Sequence, residues 1–222
     1  MNDLSAFSPK LEQVLAHSRV FFSLLSPEQL HGPSVLNPPS RVPRFSGVYA
    51  WYFADMPPSV PTEGCHRTLG HTLLYVGIAP KATRKATTKP SERSLRCRLG
   101  DHFRGNAEGS TLRLTLGCLL SERLGIQPRR VGSGRRLTFT NAGEQVLDAW
   151  MAQNARAAWV VTDKPWEMED ALLASLRLPL NLQGNKHPFV PVLQQIRKEA
   201  KTRARSLPIV EDNGGTRRVI VQ

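Results

Sequence analysis

Several polar side chains, scattered along the sequence, are of the types that phosphate chemistry requires. Two of the three tyrosines are candidates for the site, Tyr49 in the apolar run GVYAWYFA and Tyr75 in the apolar run TLLYVGIA. Arg98 and His102 are four residues apart in SLRCRLGDHF, so on a helix they project from the same face. An arginine fork can hold two phosphate oxygens, and a near-neutral histidine can accept a proton. The set therefore predicts a site that binds a phosphate group and moves a proton beside it.

A single carboxylate and an asparagine complete this set. Glu169 lies in the helix predicted from KPWEMEDALLASLRL, and Asn181 follows it shortly after Pro179. Around a helix, Glu167 and Asp170 point about 200° and about 100° away from Glu169, so neither shares its face. One carboxylate can hold one Mg²⁺ or Mn²⁺ that keeps its waters, whereas two-metal sites need several converging acids. A site in which Glu169 is the only carboxylate would therefore bind a single metal ion.

The hydrophobic pattern predicts the strands and helices that must position these residues. GVYAWYFA and TLLYVGIA are typical of strands and predict a hairpin, and AWVVT at 158–162 predicts a third strand. Ser94 caps the helix that begins SLRCRLG, in which apolar residues recur every four positions. We expect an α+β fold in which helices flank a small three-stranded, mainly antiparallel sheet.

The rest of the chain predicts N-terminal, inserted and C-terminal helical elaborations on this sheet. Residues 1–43 predict a helix and a proline-rich lead-in, and residues 44–188 the domain that carries the sheet. An insertion at about 105–157 predicts apolar-periodic helices, one with Glu144 in a capping box, and a turn with a basic, glycine-containing tip in IQPRRVGSGRRLTFT. Residues 189–222 predict a basic C-terminal helix and tail.

In this order the motifs resemble those of the GIY-YIG nuclease superfamily. Members of that family have a glycine–aromatic strand pair, an arginine helix often written R-x-x-x-H, a later glutamate helix, and an asparagine after a proline. The matching segments here are GVY and YVG, SLRCRLGDHF, and EDALLASLRLPLN. The resemblance covers about residues 44–104 and 156–188, and it implies a nuclease with a GIY-YIG-like fold.

The resemblance also implies roles for individual side chains. Tyr49 matches the tyrosine that serves as general base or orients the attacking water, and Tyr75 would bond the phosphate or the water. His102 would relay a proton from Tyr49 or from the water. Asn181 would orient the end of the glutamate helix or a phosphate-bound water. The alternatives are structural, namely packing tyrosines, an inert surface histidine and a loop cap.

Positive charge is concentrated in one block of the chain. The 222 residues carry a formal net charge of +12, and residues 81–140 contain 14 basic and 4 acidic side chains. Such a block suits a polyanion, because neutralising phosphates releases counterions and dominates non-specific affinity. The long segment of this block that precedes the arginine helix either contacts the nucleic-acid backbone or is a solvated loop. The predicted nucleic-acid contacts are Lys81, Arg84, Lys85, Lys89, Arg104, Arg129, Arg130, Arg135 and Arg136.

The remaining features bear on the compartment. No apolar stretch is long enough to predict a membrane span, and MNDLSAFSPK does not have the pattern of a signal segment. Cys65, Cys97 and Cys118 are too scattered for a disulfide framework, and with His66 and His71 they lack the spacing of a zinc site. These features favour a cytoplasmic protein.

We therefore expect a metal-dependent endonuclease that hydrolyses DNA, duplex or branched, by a one-metal mechanism with Mg²⁺ or Mn²⁺. Two alternatives stay open: a catalytically inactive nucleic-acid-binding protein that keeps the fold, and an RNA-processing nuclease. The sequence has no zinc finger or clearly patterned helix-turn-helix, which favours a structure-selective or restriction-like enzyme over a homing enzyme.

Overall fold

A computed structural model describes the chain over residues 18–57, 59–80 and 93–211. Over these ranges the polypeptide forms a four-stranded sheet, a separate two-stranded sheet, and helices that cover both faces of the larger sheet. In the part of the chain so described, none of the helices combines the length and the apolar content needed to cross a membrane.

The two tyrosine-bearing strands lie side by side in the middle of the larger sheet. β1 (Gly47–Phe53) pairs with β3 (His71–Ala79) on one side and with β6 (Ala155–Val161) on the other. β2 (Arg67–Thr68) pairs with the start of β3, so the strand order is β2-β3-β1-β6. All the pairings are antiparallel, which confirms the hairpin predicted from the two apolar runs.

The expected number of strands, three, is wrong, because β2 adds a fourth. β2 has only two residues and pairs with the first two residues of β3 across a tight turn at Leu69–Gly70. A two-residue strand shows no alternation of apolar and polar positions, so the sequence pattern does not reveal it. The predicted third strand is β6, which begins at Ala155, directly after the helix α5 (Thr140–Asn154).

The arginine helix forms as its capping residues predict. α2 (Leu95–Arg104) begins after Ser94, whose Oγ accepts a hydrogen bond from the Cys97 backbone N–H. It ends at Gly105, whose N–H donates to the Asp101 carbonyl. The predicted apolar stripe is buried, so α2 is held firmly against the sheet with the remaining face available for polar groups.

The insertion contains a β-hairpin as well as the expected helices. It begins with α3 (Thr111–Leu119) and the short α4 (Ser121–Leu124), followed by β4 (Arg129–Val131) and β5 (Arg136–Thr138). The basic segment predicted as a turn is therefore the two-stranded sheet β4–β5 with its tip. The sequence predicts helices and a turn for the insertion, and the structure adds the two strands that flank the tip.

The last helices lie on different sides of the sheet. α6 (Pro165–Ser175) contacts β3 and β1, whereas α7 (Val190–Ser206) packs against α3 and β4. After α7 the chain bridges β4 through Val210. Residues 18–25 form the helix α1, which is part of the helix expected near the N-terminus.

Alternate side chains of β1 pack into two separate hydrophobic cores, one on each face of the sheet. Tyr49 and Trp51 face the larger core, which α2, α3, α5 and α7 complete. Val48 and Ala50 face the smaller core, which α1 and α6 complete. Because successive strand residues point to opposite faces, both tyrosines of the predicted site face the side of the sheet that α2 covers.

Candidate active site

One cleft brings together five of the six predicted catalytic side chains. It has a volume of about 90 Å³ and is lined by Tyr49, Tyr75, Gly77, Ile78, Arg98, Thr111, Glu169, Asn181, Leu182 and Gln183. The sixth, His102, is fully buried behind the cleft, with Nε2 at 2.8 Å from the Tyr49 hydroxyl oxygen. The tertiary structure therefore gathers residues of β1, β3, α2, α6 and the segment after α6 into one site.

Two glycines of the strand motifs allow the cleft to form. A Cβ on Gly77 would lie 2.5 Å from the Tyr49 hydroxyl oxygen, so the tyrosine ring needs a bare backbone on β3. A Cβ on Gly47 would lie 2.2 Å from the Val160 carbonyl oxygen and 2.7 Å from Leu95 Cδ1. Gly77 thus allows Tyr49 to reach the cleft, and Gly47 allows α2 to approach the sheet.

Tyr49, His102 and Ser110 form a buried hydrogen-bonded chain behind the cleft. The Tyr49 hydroxyl bonds to His102 Nε2 at 2.8 Å, and His102 Nδ1 lies 2.7 Å from Ser110 Oγ. Ser110 is the N-cap of α3, where its Oγ accepts from the Arg113 backbone N–H. Both imidazole nitrogens are therefore hydrogen-bonded, one towards the cleft and the other towards the insertion.

Burial keeps these proton-carrying groups neutral near pH 7. It raises the pKa of Tyr49 to about 12, although the neighbouring charge of Arg98 opposes the rise. Burial holds the pKa of His102 well below its usual value, and the charges of Arg98 and Arg113 lower it further. Burial, followed by the proximity of Tyr49, raises the pKa of Tyr75 well above its usual value. The resting site consequently contains neutral phenols beside a neutral imidazole.

Arg98 presents a guanidinium that the protein uses only in part. Its Nη1 lies 3.4 Å from an Asp101 carboxylate oxygen, and its buried Nε has no hydrogen-bond partner among the described residues. Arg96, two residues earlier, donates instead to the carbonyls of Ser40 and Val42 and so anchors the proline-rich lead-in. Of the three arginines on this helix, Arg98 is the one that lines the cleft.

Glu169 supplies the carboxylate of the cleft. Its side chain is half-buried on α6, and its charge is close enough to Tyr49 and Tyr75 to raise the pKa of both phenols. Glu167 forms an ion pair with the lysine that precedes the helix, and Asp170 is exposed. As the helical geometry predicts, neither of these acids lines the cleft with Glu169.

The donor set of the cleft fits one hard cation that keeps most of its waters. Along the described ranges, no group of three or more His, Cys, Asp and Glu side chains is placed to hold a metal ion. Mg²⁺ is commonly bound by one or two carboxylates, with waters and substrate phosphates as its other ligands. Glu169, in a cleft that also holds the partly unused guanidinium of Arg98, suits this kind of binding.

Asn181 fastens the cleft wall to the edge of the sheet. Its Oδ1 accepts from the Val76 N–H at 2.9 Å, and its Nδ2 donates to the Val76 carbonyl at 2.8 Å. The Leu180 N–H adds a hydrogen bond to the Leu74 carbonyl. The asparagine side chain thus takes the place of a neighbouring strand along the part of β3 that β2 does not pair with.

A buried ion network that the sequence analysis missed clamps the end of α2. Arg113 is fully buried and pairs with Glu144 at 2.6 Å and with Asp148 at 2.7 Å. It also donates to the carbonyls of His102 and Phe103. The insertion therefore holds the turn of α2 that carries the catalytic histidine candidate.

The sequence does contain one signal for this network. Arg113 stands alone in the apolar run TLRLTLGCLL, and a buried arginine requires paired carboxylates. The capping box expected for Glu144 differs from the structure, in which Phe139 is the N-cap of α5. Glu144 Oε1 accepts from the backbone N–H groups of Phe139 and Ala107 while Oε2 binds Arg113.

Most of the predicted nucleic-acid contacts that the structure describes are engaged within the protein. Arg104 donates to the proline-rich lead-in, and Arg136 pairs with a glutamate. Arg129 and Arg130 donate to backbone carbonyls of the segment after α7. Arg135 is exposed. The predicted contacts that lie outside the described residues are Lys81, Arg84, Lys85 and Lys89.

One of three comparisons with known proteins found a match. The family model described as the GIY-YIG catalytic domain matches residues 47–202, which is well over half of the chain and includes every residue of the cleft. Searches of curated proteins and of solved structures found no match. The chain therefore belongs to the GIY-YIG nuclease superfamily, whose members are hydrolases that act on nucleic acids.

Proposed function

We propose that this protein is a metal-dependent endonuclease that hydrolyses DNA phosphodiester bonds with one Mg²⁺ or Mn²⁺ ion. The observation that supports the proposal most is the single cleft in which two tyrosines, an arginine and a glutamate converge. Directly behind it lies the hydrogen bond between Tyr49 and His102. The cleft thus offers an anion-binding group, a carboxylate for a metal ion and a path for a proton.

Arg98 binds the scissile phosphate. Its guanidinium can direct two parallel N–H bonds to two phosphate oxygens, which a lysine cannot do. The buried Nε, which has no partner among the described residues, gains one when a phosphate oxygen enters. Tyr75 stays protonated because of its raised pKa, so its hydroxyl donates a further hydrogen bond to the phosphate or to the attacking water.

Tyr49 and His102 act together as the base that activates water. A phenol with a pKa of about 12 costs roughly 7 kcal/mol to ionise at pH 7, at about 1.36 kcal/mol per pH unit. This cost is reduced if the phenolic proton moves to His102 Nε2 while the Tyr49 oxygen takes a proton from the water. The resulting hydroxide adds to phosphorus, the bond from phosphorus to the leaving oxygen breaks, and the leaving alkoxide takes a proton from solvent. His102 then returns its extra proton to solvent through the Tyr49 hydroxyl.

Substrate binding makes this transfer easier. In the free protein, burial and the charges of Arg98 and Arg113 lower the pKa of His102. A bound phosphate offsets the charge of Arg98, and Glu144 already accompanies Arg113. Occupation of the cleft should therefore raise the pKa of His102 towards the value a proton acceptor needs.

Ser110 sets the direction of the relay. When His102 donates its Nδ1–H to Ser110 Oγ, Nε2 is left as the acceptor for the Tyr49 hydroxyl. Ser110 is fully buried and is itself held as the N-cap of α3. It is thus a positioning residue that acts through His102.

Glu169 holds the metal ion, with waters and phosphate oxygens as the other ligands. When bound, the ion compensates charge on the phosphoryl oxygens and the leaving alkoxide. The half-buried carboxylate on α6 lines the same cleft as the arginine, so a cation on Glu169 and the guanidinium of Arg98 would meet the phosphate from different elements.

The test is cleavage of supercoiled plasmid DNA with Mg²⁺ or Mn²⁺. The wild-type chain should nick or linearise the plasmid, and EDTA should stop the reaction. Glu169→Gln should lower the rate by at least about 10³-fold, because a metal ion supplies several kcal/mol and about 1.4 kcal/mol is tenfold. DNA binding should persist, since the variant removes a negative charge.

The matched control is Glu167→Gln on the same helix, outside the cleft. It should keep the wild-type rate. Full activity of Glu169→Gln would contradict the proposal that Glu169 binds the metal ion. DNA binding by the wild-type protein without any cleavage would contradict the proposal that it is an endonuclease. Single-stranded RNA offered beside the plasmid separates an RNA-processing nuclease from a DNA endonuclease, because preferential cleavage of the RNA would reassign the substrate.

A further inference from the structure

α7 carries positive side chains at the spacing of a single helix face. Residues at i, i+1, i+4 and i+8 lie within about 100° of one another around a helix. The row is here named the α7 cationic stripe and consists of Arg197, Lys198, Lys201 and Arg205. With Gln194 and Leu182 it lines a groove of about 380 Å³.

This groove meets the candidate active site at Leu182. Leu182 follows the Asn181 clamp and lines both the groove and the catalytic cleft. Arg197 is close enough to Tyr75, on the cleft wall, for the two side chains to interact electrostatically. A strand lying along α7 would therefore continue directly into the cleft.

No carboxylate of the described residues neutralises the charges of the stripe. Over the ranges that the structure describes, none of its four side chains forms an ion pair with a carboxylate. Arg197 donates one hydrogen bond, to Thr115 Oγ1 at 3.3 Å. Glu199 lies between them in sequence, and its carboxylate accepts from a glutamine one turn earlier.

The stripe also holds like charges close together. Burial, followed by the charges of Arg197 and Arg205, lowers the pKa of the Lys201 ammonium. A group of cations that repel one another and have no carboxylate partner gains most from an anion with several charges. A nucleic-acid backbone, with its regularly spaced phosphates, is such an anion.

We infer that the α7 cationic stripe binds the phosphodiester backbone of the substrate beside the scissile bond and leads it into the catalytic cleft. This inference rests on the proposed function. From Gln194 to Arg205, α7 rises about 16 Å, which is the axial length of about five base pairs of a duplex. Backbone contacts position a duplex without reading its bases, so the stripe should strengthen binding to every sequence.

The test removes three charges of the stripe and measures the salt dependence of binding. The variant combines Lys198→Gln, Lys201→Gln and Arg205→Gln, and it keeps Arg197 because of its bond to Thr115. The probe is a fluorescein-labelled 30-base-pair duplex, titrated with the full chain in EDTA at several salt concentrations. We expect the slope of log K against log salt to become shallower by about 2.7, or about 0.9 for each lost phosphate contact.

The matched control also loses three positive charges, through Arg19→Gln, Arg41→Gln and Arg67→Gln. These arginines are exposed and line neither cavity. The control should keep the wild-type slope. Equal slopes for the stripe variant and the control would overturn the inference, whether or not the protein cleaves DNA.

The same titrations separate this inference from the proposed function. A wild-type protein that binds DNA with a stripe-dependent slope but cleaves neither DNA nor RNA would support the stripe and contradict hydrolysis. A protein that binds no duplex would overturn both. Denaturant midpoints check that each variant folds. If the triple variant is destabilised, a double variant with Lys198→Gln and Arg205→Gln, both at exposed positions, replaces it, and the slope of log K against log salt should then become shallower by about 1.8.

Discussion

The buried wall of the cleft, formed by Tyr49, His102 and Arg113, and the open groove along α7 differ in whether their polar and charged groups have partners within the protein. Behind Tyr49, both nitrogens of His102 are hydrogen-bonded, and the buried Arg113 is paired with Glu144. Along the groove, the α7 cationic stripe has no carboxylate partner among the described residues. The polar groups of the buried wall are paired within the protein, whereas the cations of the stripe are available to an external anion.

This difference assigns catalysis and DNA binding to different groups of residues. An uncompensated charge in the buried wall would cost several kcal/mol, so its groups must be paired and their geometry is fixed. Cations that still reach solvent, as the half-buried Arg197 and Lys201 and the exposed Lys198 and Arg205 do, cost less when unpaired and remain available to phosphates. Changes to the buried wall should therefore alter turnover and stability, whereas changes to the stripe should alter the salt dependence of binding.

The largest effect that would sharpen this comparison is expected on turnover. His102→Gln removes the proton acceptor for Tyr49, and general acid–base catalysis contributes about 10²–10⁴-fold. We expect kcat to fall by a factor in that range, while KM and the salt slope of DNA binding stay at their wild-type values. Steady-state kinetics on a labelled duplex with Mg²⁺, together with the EDTA titrations described above, measure all three quantities.

Variants of Ser110 serve as the control for a relay rather than a packing effect. Ser110→Ala removes the partner of His102 Nδ1, and Ser110→Thr keeps the hydroxyl and the N-cap of α3. The kcat of the alanine variant should fall below the wild-type value, and the kcat of the threonine variant should be close to the wild-type value. A shallower salt slope of DNA binding in any of these variants would contradict the view that the buried wall affects turnover and only the α7 cationic stripe affects binding.

The next effect is expected on stability. Glu144→Ala leaves the buried Arg113 without its closest carboxylate, which should lower the free energy of unfolding by about 3–5 kcal/mol. The control is Glu108→Ala, which removes the partner of Arg136 in an exposed pair and should cost below about 1 kcal/mol. Urea unfolding measures both, and equal losses would show that the buried wall does not depend on this pairing.

The smallest expected effect is a pH dependence of stability. The pKa of His102 is lowered in the folded protein, so below pH 6.5 the unfolded chain takes up a proton that the folded chain does not. Stability should therefore fall as the pH falls below 6.5, by about 1.4 kcal/mol per pH unit, until the folded-state pKa is reached. His102→Gln should remove this contribution. Parallel unfolding profiles for wild type and variant between pH 7 and pH 5 would contradict a buried neutral histidine.

The parts of the site that could be predicted are those with a local cause. Ser94 caps α2, and the four-residue spacing of Arg98 and His102 places both on the face that meets the sheet. The two glycine motifs predict the paired strands, and the structure adds that Gly77 leaves room for Tyr49. Each of these features follows from helix periodicity, strand alternation or the size of a single side chain.

The destination of the charges could not be predicted in the same way. Arg129 and Arg130 belong to the most basic block of the sequence, yet they bond to the segment after α7. The less basic C-terminal segment supplies the stripe that lines the groove next to the cleft. Charge density along a chain does not distinguish arginines that bond to backbone carbonyls from cations that are available to an external partner.

The sequence was sufficient for the residue types of the site, the elements that carry them and the family to which they belong, because short-range patterns encode these properties. Only the tertiary structure shows that the insertion holds His102 through Ser110 and Arg113, and that α7 lines a groove that adjoins the cleft. Contacts such as that of Arg113 with Glu144 join residues far apart in the chain. They depend on the packing of α2, α3 and α5 around one core, which no local spacing specifies.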